Sequence, residues 1–328
     1  MIKVSAPGKL MLFGEHAVVY ERPCLVAAVN QRLFVEAEKN SENKILIDAP
    51  EMKISGFVVS LTDLDQEQPK EVRFVLEAVK NFFDKYKIQS GLKIKTKSQF
   101  SAKYGFGSSS AVTVCTIKAL AELFGIKMEK KEVFDLAYQT VLDIQGMGSG
   151  FDIGAAIYGG VIYFLTGGKI IEPLNVKDIP LMVGYTGVKA STSEIVKQVK
   201  SEMEKDPEYY ENFYNQIAQI VEKAKIEMEN SNWQEVGRLM NKNQEILRKF
   251  KSPSVEYGVS SEVIEKLIEA CQKAGAFGAK LSGAGVGDCI ITLGEDKEKV
   301  EKAINQAGGI PVSVNVDYQG LKIENKKV

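Results

Sequence analysis

A chain of 328 residues, 45% of them hydrophobic, can bury a large core and is long enough for roughly two domains. Its 42 Lys and Arg against 43 Asp and Glu leave a net charge of −1, so no global field draws in nucleic acid or an anionic membrane. Four cysteines without a CxxC pair and one histidine, His16, exclude a disulfide framework, a His-rich zinc centre and any site needing two histidines.

The opening Met1 to Pro7 lacks the apolar core of a signal peptide, and no run approaches about 18 uninterrupted apolar residues. A soluble, cytoplasmic protein is expected. Ile2 to Val4 and Leu10 to Phe13 predict two short strands, parted by the bend Ala6-Pro7-Gly8-Lys9. After Gly14-Glu15-His16-Ala17-Val18-Val19-Tyr20, further strands are predicted at 34–38 and 44–47. The spacing of Val72, Val75, Leu76, Val79, Phe82 and Phe83 predicts a helix over 72–86. Gly91 to Thr96 alternates as a half-exposed strand should. Helices are predicted over 111–124 and 130–143, and a strand over 161–164.

Near Pro173 to Pro180 the character changes, which divides the chain into domains 1–178 and 179–328. Beyond it, 181–185 predicts a strand and 194–250 a run of charged helices broken at Asp206-Pro207 and Asn230-Ser231-Asn232. Ser260-Ser261-Glu262 caps another helix. A strand at 289–293, a helix at 298–307 and a last strand at 311–316 complete the chain. Strands and helices mix without strict alternation, so the fold class is α+β.

The stretch that carries chemistry is Lys103-Tyr104-Gly105-Phe106-Gly107-Ser108-Ser109-Ser110. Two glycines let the backbone turn tightly and approach a ligand. Three serines add hydroxyls at a helix start, whose free N–H groups suit a phosphate. Lys9 follows a tight bend, and Asp152 ends the glycine-rich Gly148-Ser149-Gly150-Phe151-Asp152. A lysine can offset charge on a moving phosphoryl group, and an aspartate can accept a hydroxyl proton. Read singly, Asp152 serves equally as a helix cap and Lys9 as a solvated lysine.

Three motifs in order, Ala6-Pro7-Gly8-Lys9, Gly105 to Ala111 and Leu281-Ser282-Gly283-Ala284-Gly285-Val286-Gly287-Asp288, resemble those of the GHMP-superfamily small-molecule kinases. The resemblance implies an N-terminal domain of the ribosomal-protein-S5 type, a ferredoxin-like C-terminal domain, and ATP with Mg²⁺ bound between them. It further implies that Lys103, Gly105, Gly107, Ser108, Ser109 and Ser110 hold ATP, with Ser109 near the metal. Asp152 and Lys9 would act at the acceptor hydroxyl, and Gly283, Ala284 and Gly285 would close over the substrate. The expected partner is a small molecule, not nucleic acid or membrane, and a homodimer is compatible with the sequence.

For the acceptor the motifs diverge. Gly14 to Tyr20 is similar to the mevalonate kinases of this superfamily, where Glu15 and His16 would sit by the substrate. Gly148 to Gly159, Lys103 and Gly287-Asp288-Cys289 resemble the phosphomevalonate kinases, and Lys103 with Ser149, Ser191, Thr192 and Ser193 would meet the substrate phosphate. Mevalonate kinases are implied to carry a metal-binding Glu where this chain has Val141. Asp143 lies about 200° further round the helix and does not replace it. The expected reaction is therefore phosphorylation of 5-phosphomevalonate. The alternative is mevalonate, and more distantly a non-catalytic GHMP-fold sensor of nucleotide or metabolite.

Overall fold

The structure, a computed structural model, describes residues 1–251 and 258–326. Its first sheet is built from β1 (Ile2–Phe13), β2 (Cys24–Asn40), β3 (Lys44–Ala49), β4 (Ile54–Ser60), β5 (Gly91–Ser98), β6 (Val161–Leu165) and β7 (Ile170–Leu174). Strands run β1-β2-β5-β3-β4, and β6 adds to β2 and carries β7; among the described residues only β3 and β5 pair in parallel. Four helices cover it: α1 (Arg73–Tyr86), α2 (Ser108–Phe124), α3 (Lys130–Gln145) and α4 (Phe151–Tyr158). α2 is small or apolar on most faces because it is enclosed, between β1 and β2 below and α1 and α3 beside it.

The connection 175–180 carries the chain to a second, fully antiparallel sheet. This unit comprises β8 (Leu181–Tyr185), α5 (Thr192–Lys205), α6 (Pro207–Glu229), α7 (Trp233–Leu247), α8 (Glu262–Lys273), β9 (Gly278–Ser282), β10 (Cys289–Leu293), α9 (Lys297–Gln306) and β11 (Ile310–Val312). Its strand order is β11-β8-β10-β9. The helix breaks fall where the sequence marks them. Asp206 accepts from the Tyr209 N–H with Pro207 in the first turn of α6, and Ser261 caps α8.

Three features depart from the sequence reading. First, the expected pair of short N-terminal strands is one strand, since residues on both sides of Pro7-Gly8 are buried against β2 and α2. The bend survives as a register shift between Pro7 and Gly8. Second, the segment 151–158, to which the sequence reading assigned no element, is a helix, α4, entered through Gly150 at φ +87°.

Third, the last segment leaves the second unit after β11. Val316 bridges Val29, and β12 (Lys322–Lys326) pairs antiparallel with β1. The buried Arg32 explains this return. It ion-pairs with Asp317 and donates to the carbonyls of Ser5 (2.9 Å) and Gly320 (2.6 Å). A buried guanidinium needs such partners, and β12 covers an edge of β1 that would otherwise stay open.

Candidate active site

Gly105 (φ +69°) and Gly107 (φ +75°) both take the left-handed conformation, and Gly107 is the N-cap of the 17-residue α2. The first N–H groups of α2 therefore face the loop. The loop is locked to β1, because the Lys9 N–H donates to the Phe106 carbonyl (2.9 Å). The bulge at Pro7-Gly8 thus aims Lys9 at the loop.

A side chain at Gly107 would meet Lys9 Cγ at 3.1 Å and Asp152 Cβ at 3.6 Å. Lys9, Asp152 and the serine loop consequently meet at one glycine. Asp152 lies in the first turn of α4, where the helix dipole favours a carboxylate. Its Oδ2 accepts from Ser110 Oγ at 2.6 Å and its Oδ1 from the Ile153 N–H at 3.0 Å. Lys9 Nζ stands 5.2 Å from the Phe151 ring centroid. Each Asp152 oxygen keeps a free acceptor position for a hydroxyl.

From the second unit, the turn between β9 and β10 reaches the same loop. A Cβ on Gly105 would lie 2.7 Å from Asp288 Oδ2. Asp288 Oδ1 accepts from the Ala190 N–H (2.9 Å), which ties the start of α5 to the turn. Ser191, Thr192 and Ser193 follow at that helix start and are exposed. Burial raises the Asp288 carboxyl, opposed by the Ala190 N–H and then by Lys9 and Lys189. Gly283 (φ +106°) and Gly285 (φ +94°) turn the segment back, and Gly285 leaves no room for a Cβ against the Val259 carbonyl.

Glu15 and His16 hold the second unit rather than stand open to a ligand. Glu15 is fully buried and ion-pairs with Lys280 of β9, itself fully buried. His16 Nε2 lies 2.9 Å from the Ala284 carbonyl, and Ser282 Oγ donates to the Met11 carbonyl (2.9 Å). A carbonyl only accepts, so Nε2 carries the proton.

Burial pushes the His16 imidazole down to about 4, partly offset by that carbonyl. The unfolded chain then binds more protons than the folded one between about pH 4 and 6.5, so stability falls as pH drops through that window. The loss is at most about 3 kcal/mol. Proton NMR is expected to show the single imidazole titrating near pH 4. His16→Gln, which keeps the Ala284 bond, should flatten the acid limb of the stability profile. A midpoint near 6.5 would contradict the buried, neutral assignment.

Lys103, expected at a substrate phosphate, is exposed, with its backbone N–H on Ser101 Oγ. Ser149 is buried, and its carbonyl accepts from the Gly167 N–H (2.8 Å). Val141 packs near Gly148, whereas Asp143 is exposed and bonded to Asn81 and Gln139. The helix rotation that separates them is therefore realised. Among the described residues, no three His, Cys, Asp or Glu converge on a metal position. Mg²⁺ suits this donor set only when it arrives with phosphate oxygens, taking one or two side-chain oxygens from the protein.

Sequence reading left two residues of this region without a role, Lys280 and Asp288. The signal for Lys280 was a lone charge in the otherwise apolar Gly278 to Leu281. Asp288 lay within a quoted motif, but its contact with Gly105 spans more than 180 positions.

Family models described as the GHMP kinases N terminal domain and the GHMP kinases C terminal match residues 73–160 and 220–309. A protein of Pyrococcus furiosus named mevalonate kinase is 37% identical over 98% of this chain and 97% of its own. The crystal structure of the Methanococcus jannaschii mevalonate kinase superposes with a TM-score of 0.79 at 25% identity, covering 98% of both chains. The Streptococcus pneumoniae phosphomevalonate kinase, in complex with phosphomevalonate and AMPPNP, gives 0.80 at 18% identity over 96% of this chain and 100% of that one. With both family domains matched in order and a relative alike from end to end, the chain belongs to the GHMP kinases and is an ATP-dependent kinase.

Proposed function

We propose that this kinase transfers the γ-phosphoryl group of ATP to the 5-hydroxyl of mevalonate, in the cytoplasm. The observation that carries the choice of acceptor is the end-to-end similarity to a relative named mevalonate kinase. The sequence motifs alone pointed to 5-phosphomevalonate. The likeness to the S. pneumoniae enzyme, at 18% identity, supports the fold alone. Lys103, the cation that reading relied on, is exposed, and Asp288 adds negative charge beside Lys9 rather than a counterion for a second phosphate.

In this reading the N–H groups at Gly107 to Ser110 and the hydroxyls of Ser108 and Ser109 hold the triphosphate. Ser109 would offer its oxygen to the metal, and the Ser110 hydroxyl stays on Asp152. When bound, Mg²⁺ would supply charge neutralisation on the phosphates. Asp152 orients the 5-hydroxyl and takes its proton as the new O–P bond forms and the bond from phosphorus to the β,γ-bridging oxygen breaks, releasing ADP. Lys9 offsets charge on the phosphoryl group in transit. The clasp of Glu15 and His16 on β9 and Ala284 keeps the second unit over the acceptor.

ADP release measured separately with mevalonate, 5-phosphomevalonate and galactose tests the assignment. Release is expected with mevalonate. Release with 5-phosphomevalonate and not mevalonate would restore the other acceptor. Lys103→Met is expected to leave KM for mevalonate within about threefold.

A further inference from the structure

Neither Val141 nor Asp143 gives the phosphate loop a carboxylate from the end of α3. Val141 is a buried apolar residue near Gly148, and Asp143 is turned away to Asn81 and Gln139. A polyphosphate bound at Gly105 to Ser110 would stand beside Lys9 and two carboxylates, Asp152 and Asp288. Lys9 offsets one of these charges, and the remaining carboxylate repels the ligand unless a metal cation intervenes.

We propose that Asp288 is a ligand of the divalent cation carried by ATP, meeting it from the second unit of the fold. The inference rests on ATP-dependent phosphoryl transfer and not on the identity of the acceptor.

The backbone around Asp288 is built to present its carboxylate. The residue takes a left-handed conformation (φ +57°), uncommon for a side chain other than Gly, Asn or Asp. Its N–H donates to the Val188 carbonyl (2.8 Å), and its own carbonyl accepts from the N–H and hydroxyl of Thr186, both at 2.9 Å. Oδ1 is committed to the Ala190 N–H. Oδ2 is turned against Gly105, where the lack of a Cβ leaves it space.

Two positions along the loop, Gly107 faces Asp152. A cation seated on phosphates above this loop would then meet one carboxylate from each unit. One or two carboxylates plus phosphate oxygens is the usual protein share of a Mg²⁺ shell. Metal binding would then also draw the second unit onto the nucleotide.

The decisive variant is Asp288→Asn. Its amide oxygen still accepts from Ala190 while the charge is gone, so a purely structural latch is preserved. Calorimetry with the whole chain and AMPPNP, once with Mn²⁺ and once with EDTA, reads the two states separately. We expect the affinity for Mn–AMPPNP to fall about 10- to 100-fold. The affinity for metal-free AMPPNP should stay level or rise, because a repelling charge has been removed. The electron paramagnetic resonance of Mn²⁺ in the ternary complex should change with the variant. Asp288→Glu, which keeps the charge, should retain more Mn–AMPPNP affinity than the Asn form. Asp143→Asn should leave both affinities unaltered. Equal losses with and without metal, or an undiminished Mn–AMPPNP affinity, would overturn the assignment and leave Asp288 as a latch for the start of α5.

Discussion

Replacing Asp152 with Asn is expected to lower kcat by about 10²- to 10⁴-fold while ATP affinity stays close to that of the unaltered chain. The amide still accepts from Ser110 Oγ, so the geometry of Ser110, the first turn of α2 and Gly107 is retained. What disappears is the group able to take a proton from the acceptor. Loss of the charge at the start of α4 costs about 0.3–1 kcal/mol of folding stability, too little to unfold a two-domain chain. Single-turnover rates at saturating ATP and acceptor, paired with AMPPNP titration, separate chemistry from binding. A decrease in kcat below about tenfold, or a parallel collapse of nucleotide affinity, would remove Asp152 from the chemical step.

Much of the proposed phosphate-binding side was legible because it is local. The Gly105–Ser110 loop, its glycine conformations and the helix behind it are neighbours in sequence, and each follows from residue type. The meeting of Lys9 with Asp152 could be expected only through motif resemblance, since it depends on how β1 and α4 pack on α2. The Pro7-Gly8 bend read as a strand break because proline and glycine punctuate strands, yet the flanking apolar residues carried β1 through it as a bulge. Helix α4 was hidden by the glycines that flank it, at 148, 150, 159 and 160, and its single internal glycine, Gly154, allows close packing on Ile162 and Phe164.

The acceptor side was far less legible. Glu15 and His16 look like polar ligands in sequence, and only the fold reveals that their partners are Lys280 and Ala284, more than 260 positions away. The return of β12 to β1 likewise depends on Arg32 finding Asp317. Such pairings have no local signature, and for Glu15–Lys280 and Arg32–Asp317 the buried charge at each end is the one hint they leave.

That hint makes the Glu15–Lys280 pair the site of the largest expected stability effect. Both side chains are fully buried, one beyond the end of β1 and the other on β9, so the pair joins the two units. Burial pushes the Glu15 carboxyl up and the Lys280 ammonium down, and each holds the other's shift back. Lys280 also donates to the Leu281 carbonyl (2.6 Å), so its ammonium is anchored beside the turn that carries Ala284. Lys280→Met strands a carboxylate in an apolar interior, and about 3–5 kcal/mol of stability should be lost. Glu15→Gln strands the ammonium instead and should cost a comparable amount. The double variant removes both charges together, so its loss should be well below the sum of the two single losses. Urea unfolding monitored at two wavelengths would supply the double-mutant cycle and reveal any separation of the two units. Strict additivity would mean that the pair contributes no coupling and that β9 is held to the first unit by Ser282, His16 and apolar packing alone.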